Sequence, residues 1–407
     1  VLVNRLLEGV RALALRERLL ARRGRSARER RPVVLVPGMC GTRLDSTRGL
    51  PLWGTTRTLY FGPRVSRRAD VRTKGLLRQL TIVPGLYSYD VFGGMVRALG
   101  RAGYVEGEDL HVLDFDWRQG IVAGARALAD LIARIRGFGD ERVDLVGVSS
   151  GGVVLRAYLG YGGEDPLAGA APTPAAARTV GHVVYVGAPQ RGTFDALACL
   201  HRGFRFAPAG RLFSPREAAG CQISWDALPH PDDRVFVDEA GAPLAIDLYD
   251  PATWERLRLG DPATAAERPA CLARALALHR ALDRAAALPA PDAYVIGAWH
   301  LPTPVRALVR RGGAEAGAYI PPPVPRKDDP YVGYLYRPGD GELPEPSLRA
   351  LPGVAPDRVW EVGPKAHAAF ASDAGVHRLV CEALLATDRF IPPTDLRKTK
   401  SLPLAPA

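Results

Sequence analysis

Cysteine is sparse and scattered in this chain. Its five cysteines (Cys40, Cys199, Cys221, Cys271, Cys381) are odd in number and form no CxxC pair, which excludes a dense disulfide framework or a zinc ribbon. Long apolar runs are also missing: nothing approaches the about 18 residues that span a bilayer, and the first residues lack the uninterrupted apolar core of a secretory signal. The expected location is therefore cytoplasmic, with peripheral membrane contact as a variant. There is no HExxH, no GxxxxGK[ST] and no dinucleotide fingerprint after the first strand, so no metal and no cofactor is expected.

The net charge of +11 would suit a nucleic-acid partner, but its distribution does not. Ten arginines and three glutamates fall within residues 1–31, leaving only +4 on the rest; no nucleic acid is expected. Between Val3 and Arg23, Leu6, Val10, Leu13 and Leu20 recur near helical spacing among arginines, a basic amphipathic helix followed by a linker to Arg31. Such a helix either docks on the body or lies at an anionic membrane surface. At 407 residues, 47% of them hydrophobic and 24% charged, the chain is an ordinary globular protein with room for a large core.

After Pro32, short β-branched runs alternate with helical stretches, the signature of βα units around a doubly wound, mostly parallel sheet. Strands are expected at Val33–Val36, His111–Phe115, Val143–Val146, His182–Val186, Tyr294–Ile296 and Val359–Val362. Helices are expected at Val91–Arg101, Ile121–Ile135, Val153–Tyr158, Ala270–Ala287 and Ala374–Leu385. Two stretches break the alternation: residues 50–87, polar and Arg-rich, and residues 194–288. They divide the chain into a basic N-terminal segment (1–31), an α/β core (32–193 and 289–390) with a lid-like segment (50–87), a cap insertion (194–288) and a tail (391–407).

Gly147-Val148-Ser149-Ser150-Gly151 follows one predicted strand and opens a predicted helix, the setting in which G-x-S-x-G forms a nucleophile elbow with Ser149 at its tip. A serine needs a base, and the base an orienting acid, in the chain order Ser, Asp or Glu, His. His367 follows the last strand on a short loop, whereas His377 falls inside a helix and His300 precedes the acid. Asp340, between Gly339 and Gly341, is the acid candidate; by itself it would be an ordinary Asp-Gly turn. The backbone N–H groups of Met39, in the loop after the first strand, and of Ser150 are expected to hold an oxyanion. Cys40, beside them, reads as a small packing residue.

These segments together resemble the lecithin:cholesterol acyltransferase family of α/β-hydrolases, which includes lysosomal phospholipase A2 and phospholipid:diacylglycerol acyltransferases. The matching stretches are Val33 to Gly38 with Gly41, Asp116-Trp117-Arg118, the elbow, Gly187-Ala188-Pro189 with Gly192, Pro302-Thr303-Pro304, Gly339-Asp340-Gly341 and His367. The resemblance implies an α/β-hydrolase fold, a Ser149–Asp340–His367 triad, and Met39 and Ser150 amides at the oxyanion. It places Trp53 in the lid and acyl-binding region and the cap after Thr193. It further implies a lipid or other hydrophobic ester as partner, with the acyl group passed through Ser149 to an alcohol or water. Val148, Ser150 and Glu342 depart from the family pattern, which carries histidine, a bulky apolar residue and threonine there; the lid also lacks the cysteine pair of animal members. A catalytically silent lipid-binding or scaffold protein on the same fold is the second reading, and the complete triad argues against it.

Overall fold

The computed structural model describes residues 31–385, apart from 63, 64, 67, 138, 140, 206–211 and 311–316. The expected basic helix and most of its linker, and the tail 391–407, lie outside the described residues.

Six strands form the central sheet: β1 (Val33–Val36), β2 (Leu110–Val112), β3 (Val143–Val148), β4 (Val180–Val186), β5 (Asp292–Gly297) and β6 (Val359–Glu361). Their spatial order is β6-β5-β4-β3-β1-β2, and every neighbouring pair is parallel. Parallel strands are covered on both faces, which is why β3 and β4 are buried along their whole length and only Asp144 and His182 interrupt their apolar character. The second strand is shorter than its apolar run suggests. It ends at Val112, and Leu113 is held to β1 only through its N–H on the Leu35 carbonyl (2.9 Å).

The two faces are separated by the period-2 geometry of the strands. Val34, Val36, Val143 and Leu145 turn to one core, shared with Ile121, Leu128, Val153 and Leu272. Those residues belong to α2 (Ile121–Arg136), α3 (Ser150–Tyr161) and the long α5 (Arg268–Ala285). Val33, Leu35, Val146 and Val148 turn to the other, with Met95 and Leu99 of α1 (Gly93–Arg101) and Val376 and Val380 of α6 (Ala374–Leu385). Each such side chain, fully removed from water, stabilises by about 1.5–3 kcal/mol. Strand order and coverage are those of the α/β-hydrolase fold.

The two irregular stretches hold more order than their composition suggests. Within 50–87, the strands Pro51–Trp53 and Val71–Leu76 flank the strand Thr42–Ser46 antiparallel to it. A short helix, Thr56–Phe61, starts at a capping box made by Thr55 and Thr58, and the strand Gln79–Val83 opens a hairpin closed by Tyr87–Asp90. The stretch 194–288 opens with α4 (Phe194–Arg202) and ends with α5. α5 serves the core directly: its Ala281 carbonyl accepts the Tyr161 hydroxyl (2.7 Å), and its Leu282 carbonyl accepts Arg156, both on α3. Among the described residues, no helix is long and apolar enough to cross a membrane.

Candidate active site

The chain starts at β1 in the interior of the sheet, steps out to β2, and returns across β1 to β3. The loops leaving β1 and β3 therefore diverge at adjacent strand ends, the switch point where open α/β sheets place their ligands. Val36 and Gly147 are in register there, so the loop Pro37–Gly41 and the elbow Gly147–Gly151 face each other.

Ser149 sits at the tip of the elbow with φ 55° and ψ −132°, a backbone conformation that L residues rarely adopt. Its N–H donates to the Val186 carbonyl at 2.8 Å, holding the turn against β4. The turn passes so close to β1 that a Cβ on Gly151 would lie 2.3 Å from the Val36 carbonyl oxygen, so only glycine fits.

Asp340 reaches the site by another route. The strand Leu301–Pro304 pairs antiparallel with Tyr336–Gly339, Leu301 opposite Gly339, so Pro302-Thr303-Pro304 is the rail along which the acid is delivered. Asp340 is fully buried. Its Oδ1 accepts the N–H groups of Glu342 (3.0 Å) and Leu343 (2.7 Å), and Gly341, at φ 94°, donates its N–H to the buried Thr303 hydroxyl at 2.9 Å. With Oδ1 committed to the turn, Oδ2 is left for the histidine.

His367 follows β6 and opens the 3₁₀ helix His367–Ser372. Its N–H donates to the Asp340 carbonyl at 3.0 Å, and the Phe370 ring meets the imidazole edge to face at 5.7 Å. Nδ1 lies 2.8 Å from Asp340 Oδ2 and Nε2 lies 2.9 Å from Ser149 Oγ. The three residues named from sequence are thus brought into one chain of hydrogen bonds, with imidazole between hydroxyl and carboxylate. His377 is elsewhere, buried, with Nε2 on the Ala371 carbonyl, and burial lowers its pKa. His300 pairs with Glu361.

Burial alone would pull the His367 pKa down, but Asp340, Glu342 and Asp195 outweigh it and raise it to about 9. Two of those carboxylates went unremarked as neighbours of the histidine in the sequence. Asp195, in the first turn of α4, accepts the Cys199 thiol (3.3 Å), and burial raises its pKa. Glu342 has Oε2 4.0 Å from His367 Nε2. Its signal in the sequence was the departure from threonine after the Asp-Gly pair.

The two groups expected to hold an oxyanion are arranged differently from the expectation in one respect. Ser150 N–H, at the start of α3, belongs to the donors every helix start leaves without an intrahelical acceptor. Met39 N–H, however, donates to the Ser150 hydroxyl at 2.8 Å, so amide and hydroxyl form a linked pair instead of two independent amides. Cys40, at φ 65°, is buried, which raises its thiol pKa well above the usual range.

Trp53, expected in the lid, is only 3% exposed. Its Nε1–H donates to the Cys40 carbonyl at 2.8 Å and its ring meets Trp117 edge to face at 6.2 Å. It is a core residue bracing the β1 loop, because an indole placed there can bury its ring and satisfy its N–H at once. Asp116-Trp117-Arg118 has a related role. The Arg118 guanidinium grips Asp116 with two bonds (2.8 and 2.6 Å) and donates to the Val65 and Arg68 carbonyls, fastening the 50–87 stretch to the core. A separate hollow of about 820 Å³, lined by Arg43, Lys74, Arg78, Arg97 and His111 among others, contains none of the three relay residues. Among the described residues no cluster of His, Cys, Asp and Glu suited to a metal occurs.

No protein-family model matches the chain, and no curated protein does. Among solved structures it is similar to a chain of the Tle4–Tli4 complex, with 14% identity over 87% of this chain and 98% of that one and a TM-score of 0.55. It also aligns with the mature form of Bacillus licheniformis lipase BlEst2, with 13% identity over 88% and 93% and a TM-score of 0.40. The first likeness is one of fold.

Proposed function

We propose that the protein is a serine-dependent acyl hydrolase or O-acyltransferase acting on a lipid-like ester, within the lecithin:cholesterol acyltransferase-like group of α/β-hydrolases. The observation that carries the reading is the pair of hydrogen bonds through His367, 2.9 Å to Ser149 Oγ and 2.8 Å to Asp340 Oδ2. In this reading His367 takes the Ser149 proton as Oγ attacks the ester carbonyl, and Asp340 holds the imidazole in the tautomer that presents a bare Nε2. Ser150 N–H, with the Met39–Ser150 hydroxyl pair beside it, steadies the oxyanion. The same imidazole returns the proton to the departing alcohol, and water or an acceptor alcohol then discharges the acyl-enzyme.

The stretches 50–87 and 194–288 act in this reading as lid and cap. Two contacts, made by residues just outside these bounds, support that role by tying one end of each stretch to the neighbourhood of His367 and Asp340. The Tyr89 hydroxyl of the hairpin donates to the Ala368 carbonyl at 2.9 Å, beside the catalytic histidine, and Thr193, at the N-cap of α4, donates its hydroxyl to the Glu342 carbonyl.

The test is labelling and turnover of the full chain. A fluorophosphonate probe should modify Ser149, and Ser149→Ala should lose both labelling and ester turnover, the latter by roughly 10³-fold or more, while keeping the fold. Product analysis with a neutral lipid-ester donor and a lipophilic alcohol should show acyl product on the alcohol beside free fatty acid. A folded Ser149→Ala variant with normal turnover refutes the reading, and a wild-type chain that neither labels nor turns over any ester is the silent binding protein instead.

A further inference from the structure

Glu342 is held at both ends of its backbone. Its N–H donates to Asp340 Oδ1 at 3.0 Å and its carbonyl accepts the Thr193 hydroxyl. The side chain is 44% exposed, yet Oε2 stands 4.0 Å from His367 Nε2. Among the described residues that imidazole is the only basic group within ion-pair distance of this carboxylate. Its partial burial and the neighbouring Asp195 and Asp340 raise its pKa to about 7, the imidazole pulling the other way. A half-exposed carboxylate at the reacting centre, with no Lys or Arg of its own, is an acceptor waiting for a ligand donor.

What that ligand is follows from Nε2. This nitrogen gives its proton to the alcohol oxygen as the acyl C–O bond breaks, and in the second half takes the proton of the acceptor O–H as the new C–O bond forms. The oxygen of the alcohol half therefore passes within hydrogen-bond reach of Nε2, about 2.8 Å. Glu342 borders the same nitrogen, with Oε2 4.0 Å from it. An ionised carboxylate accepts hydrogen bonds and donates none, and it repels an anion brought beside it.

Building on the acyl-transfer reading, we propose that Glu342 selects the alcohol half of the ester, binding a hydroxyl or cationic group close to the reacting oxygen and rejecting an alcohol that carries phosphate there. Glycerol-like polyols and choline-like alcohols share the chemistry it accepts. A glycerophosphate leaving group presents the charge it excludes. The selection acts in both halves of the reaction, because leaving alcohol and acceptor occupy one place.

The experiment compares kcat/KM at pH 8 for four butyrate esters, of butanol, glycerol, choline and glycerol 3-phosphate, in the full chain and in Glu342→Gln and Glu342→Thr. All four share the acyl group and His367, so any general effect of the substitution on the imidazole cancels in their ratios. The wild type is expected to favour the glycerol or the choline ester over the phosphate-bearing one by about tenfold or more, and both variants to reduce that ratio by about tenfold. The glycerol and choline arms tell a bound hydroxyl from a bound cation, each measured against the butyl ester. A wild type that handles the phosphate ester as well as the glycerol ester overturns the proposal, as do ratios unmoved in both variants. Ser149→Ala separates the two levels: if it still turns over all four esters, the acyl-Ser149 reading has failed, whereas if it is dead and the ratios are unmoved, only the role of Glu342 has.

Discussion

Three carboxylates around one imidazole make His367 a stronger base than an isolated histidine, and this sets a pH dependence. A base must be neutral to accept the Ser149 proton, so with a folded pKa of about 9 the imidazole is largely protonated at neutral pH. The acid limb of log kcat/KM should therefore rise with unit slope and level off only near pH 9. A limb centred near 6.5 would show that the surrounding carboxylates do not act on the free enzyme. The Ser150 hydroxyl makes a second case. It accepts the Met39 N–H, which leaves its own proton available to an oxyanion. Ser150→Ala is expected to lower kcat by roughly 10- to 100-fold with KM little changed, somewhat less than the loss of a full oxyanion donor. A rise in kcat would show instead that the hydroxyl competes with the oxyanion for Met39.

Elements differ in how plainly the sequence announced them. Apolar β-branched runs that fill both sheet faces could be read directly, which is why six strands were expected where six central strands lie. The short strands Thr42–Ser46 and Val71–Leu76 were not legible, since arginines, threonines and a lysine alternate there and only the partner strand makes them extended. Trp53 shows the same limit at one residue: the family resemblance implies a place in the lid, and its burial depends on Cys40 and Trp117, which no local pattern reveals. The 50–87 stretch is secured through Arg118, whose planar fork bonds Asp116 twice and reaches two carbonyls beyond it. Lysine cannot reproduce that fork. Arg118→Lys should speed amide hydrogen exchange in residues 65–76 while leaving α3 and β3 protected, and unchanged exchange in 65–76 would remove the anchor role.

For the molecule as a whole, stability carries the mark of a buried acid. Asp226 accepts the Ile121 N–H at the start of α2 (2.8 Å) and the Gln222 amide (2.8 Å); burial raises its pKa to about 6 despite those bonds. A carboxyl whose folded pKa lies above its unfolded value costs stability once ionised, so this cost is absent below about pH 4 and complete above about pH 6, approaching 3 kcal/mol. Asp226→Asn keeps an acceptor for Ile121 and removes the charge. Its Tm relative to wild type should climb as pH goes from 4 to 7, and a constant difference would mean that the charge is already compensated.

The fold also disperses one reaction centre along the chain: Ser149 and His367 are 218 residues apart yet share a 2.9 Å hydrogen bond. At about 5–20 residues per second, a ribosome needs on the order of 10–40 seconds to travel from the nucleophile to its base. Throughout that interval the nascent polypeptide owns an elbow serine with nothing to deprotonate it. On the proposed reading, hydrolytic competence arrives only once His367, six residues past β6, has been made and folded onto the elbow, so synthesis itself delays the onset of turnover.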